Sequence, residues 1–244
     1  MINISKSDFK SPIGKLLRFP LKLIPAKTII PILQGPLKGK RWIKGSSING
    51  CWLGTYELDK QVLFSKYIKS GMTVYDVGAN VGYYSLLASL VIGMEGKVFS
   101  FEPLPENISY LKKHIELNNL KNVKVIDRAV NDKFSKLRFT FGDNRSAGHI
   151  SNEGEIEIET TSLDEFIKEG NPLPDLIKMD IEGAEYDALV GAKELVKTKK
   201  PVIFLATHSN ELRAKCLKLL TDHGYTISSI DNKPIEESDE FVCK

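Results

Sequence analysis

Cysteine is scarce in this chain of 244 residues: Cys51, Cys216 and Cys243 are all it holds. They are scattered, odd in number and without metal-ligand or redox spacing, so neither a disulfide framework nor a thiolate metal site is expected, and a reduced, cytoplasmic setting is. No run of about eighteen apolar residues is present, so no transmembrane helix is expected. The N-terminus lacks the charged region, apolar run and small-residue cleavage site of a signal peptide. A net charge of +3 is small for this length and gives a nucleic-acid partner no support from bulk charge. No internal repeat is visible. With 42% hydrophobic residues the chain can bury a sizeable core, enough for one α/β domain with an extension.

The informative stretch is VYDVGANVGYYSLLAS, residues 74–89. An apolar strand ends in Asp76, breaks through Gly78-Ala79-Asn80 and restarts after Gly82 as an apolar helix. Gly78 has no Cβ, which permits a sharp turn and a close approach of ligand to backbone, and the start of a helix offers unpaired N–H groups. About twenty residues on, the strand KVFSF ends in Glu102, where a carboxylate can accept ribose hydroxyls. The three-glycine spacing of a dinucleotide site is missing, and Asp76 just before the turn disfavours phosphate. A zwitterionic or cationic nucleoside such as S-adenosylmethionine fits better. Gly78→Val is therefore expected to block the ligand, whereas Gly93 and Gly96, after the helix, are expected to tolerate Ala better.

Residues 1–55 read as an N-terminal extension and 56–244 as the main domain. IGKLLRFPLKLIPAKTIIPIL mixes Lys and Arg with Leu and Ile, as a membrane-surface segment does. Pro20, Pro25 and Pro31 interrupt any long helix there, and packing against the main domain is preferred. LKGKRWI and SINGCWLG are predicted to be two strands of a hairpin. A helix is predicted over 57–68, and another after the two prolines that follow Glu102, with Ile108, Leu111 and Ile115 at helical spacing. KLRFTF and EIEIETT read as an inserted hairpin around a polar segment carrying Asn144, Arg145, Ser146 and His149, groups that suit a hydroxylated acceptor or a solvated loop. Strand DLIKMD, helix EYDALVGAKELV, strand PVIFLAT, a helix over Leu212, Cys216 and Leu219, then YTISSI and EFVC complete an alternation that implies a mostly parallel sheet covered on both faces.

WLGTYE, VYDVGANVGYYSLLAS, FEPLPENISYLKKHIELNNL, SLDEFI and DLIKMDIEGAEYDALVGA, in that order, resemble the FkbM family of S-adenosylmethionine-dependent methyltransferases, from about Trp52 onward. The resemblance implies a Rossmann-like class I methyltransferase core, with seven strands and the last antiparallel, and methyl transfer to oxygen, often on sugar or natural-product hydroxyls. It places the cofactor loop on Asp76, Gly78, Ala79, Asn80 and Gly82, the ribose acid on Glu102, the adenine after the third strand near Asp127 and Ala129, and the loop after the fourth strand on Asp180. Tyr56 and Glu57 match a family pair at cofactor or substrate, and Glu57 is carried as a cofactor candidate. Ala206 stands where many members have an acid two positions before the His.

Asp180 ends a strand implied to lie beside the first, and is a candidate for both the reaction and the cofactor. His208 is the candidate proton acceptor, on the argument that an unperturbed pKa near 6.5 suits general-base work. Glu182 and Glu185 stand at a helix start, where the dipole alone favours acids. For Glu185 that is the preferred reading. Lys38, Lys40, Arg41 and Lys44 form a basic patch that can greet an anion or merely guard a strand edge. No metal is expected from ligand spacing, although carboxylates from separate loops can assemble a site. A small-molecule or glycan acceptor is the expected partner. The alternatives are an RNA base methyltransferase, a non-catalytic cofactor-binding or interaction module and, weakest, a dehydrogenase.

Overall fold

The structure is a computed structural model that describes residues 23–141, 148–150 and 154–244. The strands of the main sheet are β3 (Thr73–Val77), β4 (Lys97–Phe101), β5 (Val123–Ile126), β10 (Leu176–Met179), β11 (Val202–Ala206), β12 (Ile227–Ser229) and β13 (Glu240–Cys243). They lie in the order β12-β13-β11-β10-β3-β4-β5. The run from β11 to β5 is parallel, and β13 is antiparallel to both its neighbours. The expected seven-stranded, mostly parallel sheet with an antiparallel last strand is present.

Strands covered on both faces read as continuous apolar runs, and here alternate residues feed two cores. Tyr75, Val77, Phe99, Phe101, Ile177 and Met179 pack on one face with Phe166, Leu189 and Leu220. Val74, Val98, Leu176, Phe204 and Val242 pack on the other with Trp42, Phe64, Leu86 and Leu87. The helices that cover the sheet, and supply those partners apart from Trp42, are α2 (Leu58–Tyr67), α3 (Tyr83–Ile92), α4 (Pro105–Leu117), α5 (Leu163–Lys168), α6 (Glu185–Val190), α7 (Lys193–Thr198) and α8 (Asn210–Asp222). Ser162 and Glu165 form a reciprocal capping box at the start of α5. Ser209 caps α8 by accepting from the Leu212 N–H at 3.2 Å.

Two readings are corrected at helix starts. Pro105 opens α4 rather than delaying it, because a first-turn position needs no N–H. The single helix expected over 185–196 is two, since Gly191 is pressed against the chain at Asn131 and Asp164, from α5, accepts the N–H groups of Glu194 and Leu195 and so starts α7 anew.

The inserted hairpin is present as β7 (Ser135–Phe141) antiparallel to β9 (Ile156–Thr161). It belongs to a four-stranded sheet with β6 (Ala129–Val130) and β8 (Gly148–Ile150). Asn144, Arg145 and Ser146 lie outside the described residues, as do the side chain of His149 and the first 22 residues.

The N-terminal hairpin differs from expectation. Arg41–Ile43 (β2) pairs with the upstream Ile29–Pro31 (β1), while SINGCWLG supplies a short helix, α1 (Asn49–Leu53). Trp42, wholly buried, stacks on His114 of α4 with ring centroids 3.8 Å apart. The backbone of Arg41 exchanges two hydrogen bonds with the Asn118 side chain.

His114 receives the Ile43 N–H on Nε2 at 3.1 Å and donates from Nδ1 to the Val81 carbonyl at 2.8 Å, which joins the hairpin to the loop before α3. Burial holds its pKa down from 6.5 to about 4. The unfolded chain therefore takes up this proton near pH 6.5 and the folded chain only near 4, so stability present above pH 6.5 is lost as pH falls between them. The loss is about 3 kcal/mol at about 1.4 kcal/mol per pKa unit. Urea titrations at several pH values should show this loss in the parent and not in His114→Phe. Equal pH slopes in the two would remove the linkage.

Candidate active site

Because β3, β4, β10 and β11 run parallel, their carboxyl ends share one edge, and the loops after Val77, Phe101, Met179 and Ala206 converge there. A cavity of about 730 Å³ opens among them. Gly78, Ala79, Asn80 and Val81 line one side, Glu102, Leu104 and Asn107 the next, and Ala129, Val130, Asn131, Phe139 and Ile158 form a largely apolar wall. Lys178, Asp180 and Glu182 close the remaining side.

The loop is held from both neighbouring strands. The N–H groups of Gly78 and Ala79 bond the Phe101 carbonyl at 3.1 and 2.9 Å. Gly78 has φ +78°, and a Cβ there would stand 1.9 Å from the Asp180 carbonyl oxygen. The steric reason for glycine is thus the neighbouring strand's loop, where the sequence reading gave equal weight to the ligand. Gly96 is tight as well, since a Cβ would lie 2.7 Å from the Met72 carbonyl and from Ile92. The expectation that Gly96 tolerates Ala is therefore corrected, while Gly93 meets nothing nearer than Ser70 Oγ at 3.8 Å.

Glu102 is buried at the cavity wall. Its Oε2 accepts from the Asn80 N–H at 2.8 Å, and its Oε1 from the Leu104 N–H at 3.0 Å and the Asn107 side chain at 3.1 Å. Burial pushes its carboxyl up to about 6 against those three bonds and Lys178. A carboxylate has room for about four hydrogen bonds, so about one remains for a ribose hydroxyl. Glu102 thus organises the loop, and truncating it would disturb the loop's fold.

Asp76 does not line the cavity. It sits beneath the loop, 1% exposed, accepting from Ser85 Oγ at 2.6 Å with Lys178 Nζ 3.6 Å away. The argument that its charge repels phosphate is corrected, because Lys178 balances it. Gly82 packs on Leu111, and Asp127 is exposed, while Ala129 lines the wall. Glu57 accepts from the Tyr84 hydroxyl at 2.8 Å and pairs with Lys60 at 3.4 Å, outside the first cavity. Cys51 borders the cavity as a thiol, pushed up to about 12 by burial.

Lys178 was not singled out in the sequence. Its ammonium donates to the Gly78 carbonyl at 2.8 Å and stands 3.6 Å from Asp76 and 3.8 Å from Asp180. The signal was a lysine inside the apolar run DLIKMD. Asn107 and Asn131 were also missed, for want of any local pattern.

A second cavity, about 580 Å³, adjoins the first and shares Tyr56, Asp180 and Glu182 with it. Its other lining includes Glu57, His208, Asp239 and Glu240. His208 is bonded through Nδ1 to Oε1 of the fully buried Glu185 at 2.8 Å. Its Nε2 stands 3.4 Å from Asp180 Oδ1 and 3.5 Å from Glu182 Oε2. The hydrogen bond that the ring donates to Glu185, opposed by burial and helped by three carboxylate charges, pushes the imidazole up to about 9. The premise of an unperturbed histidine is therefore corrected: at neutral pH the ring holds a proton among acids. Burial works to raise the pKa of Asp180, but Lys178, Lys60 and His208 outweigh it and keep the carboxyl low and ionised. Glu185 also accepts the N–H groups of Ile181 and Gly183, so it does more than complement a helix dipole.

Residues 76–227 match the family described as Methyltransferase FkbM domain. The chain belongs to that family. Among curated proteins it is 28% identical over 135 residues to the hexuronic acid methyltransferase AglP of Haloferax volcanii, covering 53% of this chain and 54% of that protein. It is 27% identical over 165 residues to the 2-O-methyltransferase NoeI of Sinorhizobium fredii, covering 59% and 66%. The solved FkbM methyltransferase of Methylobacillus flagellatus superposes with TM-score 0.56 at 19% identity, over 72% of this chain and 44% of that one, and shows the shared fold. The chain spans about half the length of AglP and of that structure. It carries an S-adenosylmethionine-dependent methyltransferase domain of class I fold. Among the described residues no helix is long and apolar enough to cross a membrane.

The cavity fits this cofactor. A nucleoside needs an apolar slot beside hydroxyl acceptors, and Leu104, Ala129, Phe139 and Ile158 lie beside Glu102. Asp180, ionised, lines the same cavity.

Proposed function

We propose that the protein transfers a methyl group from S-adenosylmethionine to a hydroxyl of a sugar, glycan or similarly hydroxylated small molecule. The observation that carries this reading is the meeting of two cavities at Asp180: one fits the cofactor, and the other is polar and open to an acceptor. AglP and NoeI, named for methylation of a hexuronic acid and for 2-O-methylation, support an acceptor of this class.

The bound cofactor supplies a methyl carbon already activated by positive sulfur. The chain's part is alignment and proton removal. The loop from Gly78 to Asn80 and Glu102 hold the nucleoside end. Asp180, ionised and placed where the cavities join, accepts the hydroxyl proton. A weak base is adequate, because an oxygen forming its third bond becomes strongly acidic. Asp180 thus takes the role that the sequence reading gave to His208, and His208, fixed by Glu185, orients Asp180.

Asp180→Asn is expected to lower turnover about a hundredfold or more. The test is transfer of labelled methyl from S-adenosylmethionine to neutral sugars, hexuronic acids and total tRNA. Alkali-stable label on a sugar supports the proposal. Label confined to tRNA bases overturns it.

A further inference from the structure

We infer that Asp180, Glu182 and His208 form a binding site for one divalent cation at the junction of the two cavities. Their ligand atoms, Asp180 and Glu182 carboxylate oxygens and His208 Nε2, all lie within 4.8 Å of one another. Donors about 2.0–2.2 Å from a common cation are about 2.8–3.1 Å apart at octahedral angles and about 3.3–3.6 Å apart at tetrahedral ones. The distances from His208 Nε2 to Asp180 and Glu182, 3.4 and 3.5 Å, fall in the tetrahedral range, need to close by about 0.3–0.4 Å for octahedral coordination, and exceed ordinary hydrogen-bond length.

The group behind the cluster points the same way. A metal-binding histidine commonly ties its other ring nitrogen to a carboxylate, which fixes the ring and raises its basicity. Glu185, fully buried and anchored by two backbone N–H groups, does this to Nδ1 at 2.8 Å and leaves Nε2 facing the two acids. Charge balance favours a cation as well. On the second cavity's wall Glu57 and Glu240 are already paired with Lys60, and Asp239 with Arg213, whereas Glu182 has no ion-pair partner but His208 among the described residues.

Two carboxylates and one imidazole suit Mn²⁺ or Mg²⁺, the ion displacing to solvent the Nε2 proton that the ring holds at neutral pH, with the remaining coordination positions open to water or to hydroxyls entering from the second cavity. Such an ion would select acceptors with adjacent oxygens, which extends the proposed reaction. Its binding can be measured with neither cofactor nor acceptor present, so it stands or falls separately from the identity of the acceptor.

The test is titration of the chelator-treated protein with MnCl₂ near pH 7.5, read by calorimetry and by loss of the free Mn²⁺ electron-spin resonance signal. One ion per chain is expected. His208→Ala and Asp180→Asn should each weaken binding at least tenfold, with circular dichroism spectra like the parent's. Glu185→Gln, which touches no ion, should weaken it 10–100-fold, and Glu169→Gln, a surface control, should leave it unchanged. No binding at millimolar Mn²⁺, or binding that His208→Ala and Glu185→Gln leave undiminished, overturns the inference.

Discussion

Lys178→Met is expected to destabilise the protein by about 3–5 kcal/mol, the usual result of removing one partner from a buried ion pair. Asp76, 1% exposed, would lose the cation that balances it while keeping its bond from Ser85, and the Gly78 carbonyl would lose its bond to the ammonium. Typical stabilities are about 5–15 kcal/mol, so this is a large share. Because Lys178 also faces Asp180, affinity for S-adenosylhomocysteine should fall along with stability. Adding Asp76→Asn to Lys178→Met should recover part of the stability by removing the unpaired charge. Urea denaturation of the two variants tests this. A double variant no more stable than Lys178→Met would show that lost packing, rather than stranded charge, sets the cost.

Gly78→Val should abolish measurable cofactor binding, a loss of at least a hundredfold. A branched side chain there meets the Asp180 carbonyl at 1.9 Å and must also adopt φ near +78°. The chain can relieve the clash only by moving the loop off the fourth parallel strand, and Asp180 with it. Gly93→Ala isolates backbone strain, since its φ of +69° with ψ −173° falls in a region essentially reserved for glycine while its space is open, and about 1–3 kcal/mol of strain with little change in affinity is expected. Calorimetry with S-adenosylhomocysteine and thermal melts on both variants separate the effects. Equal affinity losses at the two positions would mean that general destabilisation was being measured.

What the sequence revealed was local. The turn at Gly78 and the acid at Glu102 are written in two short windows, and the family resemblance implied that the strand ending at Asp180 lies beside the first, where it is found. What it hid depends on long-range contact. Lys178 meets Asp76 because their strands pair in that register, which no spacing within DLIKMD expresses. His114 and Ile43 are 71 residues apart, and nothing in either segment marks their hydrogen bond. The partner of β2 was misassigned because SINGCWLG and Ile29–Pro31 are both short and apolar, and the helix at Asn49–Leu53 is fixed partly by Gly54, which takes a left-handed cap. His208 was located by its strand end, but its elevated pKa comes from Glu185, whose role at a helix start looked sufficient by itself.

The central claim is that the cavity between Gly78 and Asp180 holds S-adenosylmethionine. Isothermal titration of the purified protein with S-adenosylmethionine, S-adenosylhomocysteine, NAD and ATP tests it most directly. Saturable binding of the two adenosyl-sulfur ligands, undisturbed by NAD or ATP, is the predicted result. No heat with either of them at millimolar concentration, or their displacement by NAD, would contradict the account.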